Sequence, residues 1–137
     1  MRQAARSCKQ NIVEGVSDRT VSAEMCIKLL GVARGSVREL LEDYQDYLRQ
    51  HEMKIWLVND SRTIATRDFC KKNDDAKMFV EKCKERSDET VANIMITLIR
   101  QIDAMLAKIL KSVEEDFIKE GGIKEAMFRA RRESRGY

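Results

Sequence analysis

The sequence predicts an all-α protein, a helical bundle. Three observations carry this. Proline is absent and glycine occurs six times in 137 residues, so little in the chain breaks a helix. Two long stretches repeat apolar residues at alternating spacings of four and three, the seam of a packed helix. Charged residues reach 36% against 6% aromatics, which suits solvated helix faces around one core. Residues 1–120 are expected to form the bundle and 121–137 a basic tail.

Residues 1–14 place Ala4, Ala5, Cys8 and Ile12 on one face and Arg2, Arg6 and Lys9 on another, a helix with an apolar and a basic side. Gly15 is expected to end it, with Ser17, Asp18, Thr20 and Ser22 supplying loop and capping chemistry. From about 22 to 50 the seam is Cys26, Leu30, Ala33, Val37, Leu40, Tyr44 and Tyr47, widened by Leu29, Leu41 and Leu48. Gly31 and Gly35 lie inside this helix, each costing about 1 kcal/mol relative to alanine. Close approach of another helix, or room for a ligand or nucleic-acid backbone, would account for them. In residues 51–61, Trp56 is expected to plug the end of the bundle, the alternative being a surface role in stacking or partner contact. Two short helices, about 62–70 and 74–85, form an excursion packed on the bundle. Ser87, Asp88 and Glu89 then open the strongest helix, with a seam of Val91, Met95, Leu98, Ile102, Met105 and Ile109. Ile94, Ile99, Leu106, Leu110 and Val113 join it, and Gly121 and Gly122 are expected to stop it.

The formal charge of +3 decides little as a total. By segment it runs +4 over 1–38, −4 over 39–60, +3 over 61–86, −3 over 87–118 and +3 over 119–137. The tail therefore holds the whole surplus, and unlike blocks favour contacts between unlike faces, although solvated helix faces alternate in the same way. Cys8, Cys26, Cys70 and Cys83 contain no CxxC pair, and His51 is the only histidine. The expectation is reduced cytoplasmic thiols acting as small hydrophobes, with no metal site and no cofactor. No uninterrupted apolar run approaches eighteen residues, so no membrane span is expected. His51 is expected at the surface near a helix end. The carboxylates Glu39, Glu42, Asp43 and Asp46 lack the histidines that metal chemistry would need, and no enzyme is expected.

Two motifs carry a resemblance. RQAARSCKQNIVEG, residues 2–15, resembles the QxRRAxxSxxxNIAEG motif of the bacterial four-helix-bundle family related to proteins encoded in intervening sequences of large-subunit ribosomal RNA genes. KLLGVARGSVRELLEDYQDYL, residues 28–48, resembles the next helix of that family, with its ARGSxxEL core at Ala33, Arg34, Gly35, Ser36, Glu39 and Leu40. The region from Asn93 through GGIKEAMFRARRESR is similar to the subgroup with a four-helix-bundle suffix domain.

The resemblance implies an antiparallel up-and-down bundle of the four-helix type, a homo-oligomer with pentameric rings among close relatives, and, for some relatives, nucleic-acid binding as accessory proteins of diversity-generating retroelements. It implies structural or interface duties for Asn11, Glu14, Gly15, Arg34, Gly35, Ser36 and Glu39. Arg34 would pair with Glu14 or Glu39, and Asn11 would satisfy backbone groups at a helix end. Family members carry an amphipathic helix before the first motif, and here nothing precedes Met1. The chain is then expected to be part of a longer protein, or to complete its bundle from 74–86 or from a second subunit. The functional expectation is a non-enzymatic oligomer binding structured RNA or DNA through phosphate contacts. Arg2, Arg6, Lys9, Arg129, Arg131, Arg132 and Arg135 are the candidate contacts. The alternative is a protein-interaction scaffold that binds no nucleic acid.

Overall fold

The computed structural model describes residues 1–18 and 23–135. Among them, helices α1 (Arg2–Asp18), α2 (Ala23–Gln50), α3 (Ser61–Lys72), α4 (Ala76–Cys83) and α5 (Asp88–Ser134) account for most of the described residues. The expected all-α bundle is observed. The proposed capping roles of Thr20 and Ser22 lie outside the described residues.

Two helices pack on α2, one along each side. The Met1 ammonium reaches Asp43 at 3.3 Å, Ser36 Oγ donates to Ser7 Oγ at 3.3 Å, and Gly15 lies against Leu29 and Leu30. As α1 advances, its α2 partners therefore fall in number. On the other side Leu48 packs with Ala92 and Ile96, and Arg34 Nε donates to Asp103 Oδ1 at 2.9 Å, so α5 is also traversed against α2. Cys8, Cys26, Leu30, Ala33, Val37, Ile99, Leu106 and Val113 form the main core.

Gly15 does not end α1, which continues to Asp18. A Cβ at Gly15 would lie 3.4 Å from both Leu29 Cβ and Leu30 Cγ, so here glycine permits close helix approach. That role had been expected of Gly31 and Gly35. Both are exposed on α2, and among the described residues a Cβ on either would meet nothing within 4 Å, so no described helix packs closely there.

The end of α2 uses a six-to-one closure: Met53 N–H donates to Leu48 O at 2.8 Å and Glu52 N–H to Arg49 O at 3.1 Å. Glu52 takes the left-handed conformation, φ 54°, which glycine would adopt at lower cost. His51 is exposed at this helix end. The following segment is held to α5 by Asn93, only 2% exposed. Its Oδ1 accepts from Trp56 N–H at 2.8 Å, and its Nδ2 donates to Lys54 O and Glu89 O, each at 2.8 Å. This seats Trp56, 93% buried, between the loop and α5.

α3 opens on Asp60, whose carboxylate accepts from Arg62 N–H, and α4 opens on Asp75 in the same way with Lys77. α3 packs on α5, whereas α4 buries none of its residues and meets α3 through Phe69 and Phe79. Segment 74–86 therefore does not complete the main bundle.

Two expectations for α5 are corrected. Its most buried heptad positions are Ala92, Ile96, Ile99, Leu106 and Val113, one residue or about 100° around from the expected seam. α5 is apolar around much of its circumference between 91 and 113, so periodicity did not fix its rotation. Asn93 and Thr97 are both buried; Asn93 bonds the loop, and the Thr97 hydroxyl donates back to Asn93 O within α5 while lining a hollow with Val58 and Thr63. The expected seam residues Val91, Met95, Leu98, Ile102 and Ile109 stay half-buried, and Met105 is 62% exposed.

The second correction is at Gly121 and Gly122, where the helix continues to Ser134. Two glycines cost about 2 kcal/mol, but stopping needs a left-handed turn or a competing cap, and the flanking Lys, Glu, Ala, Met and Arg are strong helix formers. At 47 residues α5 is roughly 70 Å long. Its stretch 88–119 is long and apolar enough to span a membrane by length and composition alone, and its buried positions pack against α2 and α3.

Candidate nucleic-acid interface

The basic side chains on α1 follow from its helical repeat: Arg2, Arg6 and Lys9 are all exposed on the side away from the Ala4, Cys8 and Gly15 contacts. Arg2 and Arg6 border a polar depression with Gln3, Gln10 and Glu14, and Glu14 accepts from Gln10 Nε2 at 3.3 Å. Lys9 stands at the rim of a different feature, an apolar groove of about 270 Å³. Ala5, Cys8 and Ile12 of α1, Val37 and Leu40 of α2, and Ile99 and Ile102 of α5 line it. Burial pushes the Cys8 thiol above its ordinary pKa, which keeps it neutral beside that groove.

Arg129, Arg131, Arg132 and Arg135 lie on the last turns of α5, where every residue from 125 to 135 is exposed. Glu125 sits 3.9 Å from Arg129, a loose solvated pair, and the Ser134 hydroxyl donates to Arg131 O. This end projects past the N-terminal end of α2, because α5 runs against α2 with Asp103 level with Arg34, and α2 begins at Ala23. The two basic sets are far apart in one chain. Ser7 is level with Ser36, and Arg34 with Asp103, so Arg129 lies about 40 Å along the bundle axis from Arg6.

The motif residues divide into three places. Asn11 Nδ2 donates to Ser7 O at 2.8 Å and Ser7 Oγ at 3.2 Å, while Ser36 donates to the same Ser7 hydroxyl. With Gly15, these make a polar and close-packed contact between α1 and α2. Asn11 thus bonds within a continuing helix, not at a helix end. Arg34 turns to α5 and pairs with Asp103, not with Glu14 or Glu39. That hydrogen bond, with the added Coulomb attraction, raises the arginine's pKa further. Glu14, Gly35 and Glu39 are exposed.

Sequence reasoning missed an aromatic and cationic cluster. Phe69 of α3 meets Phe79 of α4 edge to face, with centroids 5.0 Å apart, and Lys82 Nζ lies 3.9 Å over Phe69. Arg62 lies 4.5 Å over Trp56. Asp60 accepts from Arg62 through both carboxylate oxygens, which holds the acid down at about 2. The two phenylalanines are ten positions apart on separate weak helices, so no periodicity joined them.

Among the described residues no cluster of three or more His, Cys, Asp or Glu side chains is placed to hold a metal ion. Comparison of the chain with protein-family models, with curated proteins and with solved structures finds no match in any of the three.

Proposed function

We propose that this chain is a non-enzymatic helical-bundle protein that binds structured RNA or other nucleic acid through phosphate contacts. The carrying observation is the basic end of α5, solvated on all sides beyond the bundle and free of packing duties. A helix presenting Arg129, Arg131, Arg132 and Arg135 gives charge without a base-reading geometry, which suits backbone contact. The α1 set, Arg2, Arg6 and Lys9, is too distant to share a short site with it in one chain. Self-association brings such clusters from different copies onto one nucleic acid, as in the ring assemblies that the two family-like motifs suggest.

The test uses a fluorescently labelled structured RNA and two variants, Arg129, Arg131, Arg132 and Arg135→Gln and Arg2, Arg6 and Lys9→Gln. The α5 variant is expected to weaken binding by about 100-fold at moderate salt, and the α1 variant by less. Unchanged binding in both variants contradicts the proposal.

A second reading, a homo-oligomeric interaction scaffold, has its own supporting observation. The seam Val91, Met95, Leu98, Ile102, Met105 and Ile109 is only half covered and adjoins the open groove between α1 and α5. A second copy is the occupant we assign to it, because uncovered heptad positions favour another helix. Met105→Glu is expected to shift the mass measured by light scattering toward the monomer while leaving the helical signal intact. An unchanged mass counts against this face.

A further inference from the structure

The aromatic and cationic cluster encloses a recess of about 240 Å³ between the loop before α3, the two short helices and the start of α5. Its walls include Trp56, Phe69 and Phe79, and Arg62, Lys82 and Arg86 border it. Among the described residues the buried Trp56 Nε1–H has no hydrogen-bond partner, an unusual state for an indole.

The charges around the recess are unequally committed. Arg62 is paired with Asp60, and the neighbouring Lys84 with Glu81. Among the described residues neither Lys82 nor Arg86 has an ion-pair partner of this kind. Arg86 spends its Nε–H on Lys82 O at 2.7 Å, leaving its terminal amino groups for other acceptors. Lys82 rests on the Phe69 ring, a contact that an incoming anion can outbid.

We propose that this recess binds a small planar aromatic anion of the nucleoside monophosphate class. The base enters beside the rings of Trp56, Phe69 and Phe79 and packs against them. Lys82 and Arg86 meet the phosphate. The competing chemistries fit less well. A quaternary ammonium would face three cations, and a purely apolar ligand would leave Lys82 and Arg86 without a counter-charge. The volume lies below the range of drug-sized pockets and suits one ring system with its sugar. The same chemistry is offered by a free nucleotide and by an unpaired nucleotide in a strand. The site does not depend on the arginines at the end of α5.

Trp56 is the only tryptophan, so its fluorescence reports on this recess directly. The intact chain is titrated with adenosine and uridine monophosphates, the matching nucleosides, inorganic phosphate and a short single-stranded oligoribonucleotide. A saturable change is expected with the monophosphates or with the oligonucleotide, and about tenfold weaker binding of the nucleosides. A response to monophosphates assigns a free ligand, and a response to the oligonucleotide alone assigns a strand. The double variant Lys82→Gln and Arg86→Gln, at two exposed positions, is expected to loosen binding by about tenfold or more. Replacing the four α5 arginines by glutamine is expected to leave the monophosphate response unchanged, which separates this site from the helix-end contact. The proposal is overturned by no saturable change with any probe, by inorganic phosphate alone reproducing the change, or by binding that the double variant leaves intact.

Discussion

Asn93 shows how much one buried polar side chain organises. Its three hydrogen bonds join the loop carrying Trp56 to the first turns of α5. Asn93→Leu keeps the branched shape but strands Trp56 N–H and Lys54 O, so a loss of about 3 kcal/mol is expected. Urea unfolding followed by Trp56 fluorescence measures it. Gly31 and Gly35 behave in the opposite sense. With open space at both, Gly31→Ala and Gly35→Ala are each expected to raise stability by about 1 kcal/mol, measured as a higher unfolding midpoint. Sequence placed Asn11, Gly15 and Ser36 in motifs but could not name their contacts. Ser7, the hydroxyl that joins Asn11 to Ser36, gains its role only when α1 lies on α2. The partner of Arg34 lies 69 positions away, beyond the reach of any local spacing rule.

Among the elements, α2 was the most legible. Its single apolar stripe left one way to face the core, and Cys26, Leu30, Ala33 and Val37 are all buried. α5 was legible as a helix but not in rotation, because apolar residues on several faces offered two adjacent seams. One seam packs on α2, and the half-exposed one adjoins the groove. The two short helices were placed well, yet their shared recess depends on Phe69 meeting Phe79, which neither helix encodes alone. The far end of α5 makes a clear stability prediction. Because residues 125–135 bury nothing, removing 123–137 is expected to leave the melting temperature within about 2 °C. Circular dichroism of the shortened chain checks this, with helical signal falling by about a tenth.

At the scale of the whole molecule, the modest formal charge conceals a spatial arrangement. Unlike blocks lie along a bundle whose basic α1 surface and basic α5 end are about 40 Å apart. One copy therefore presents two separated anion-attracting surfaces, and an assembly presents many. The most direct test of phosphate-based binding is RNA affinity measured against salt for the full chain and for the chain lacking 123–137. The full chain is expected to show a steep fall in affinity with salt, and truncation to reduce the logarithmic slope by about 3 to 4, near one per lost arginine contact. Equal slopes for the two chains, or no binding even at low salt, would contradict it.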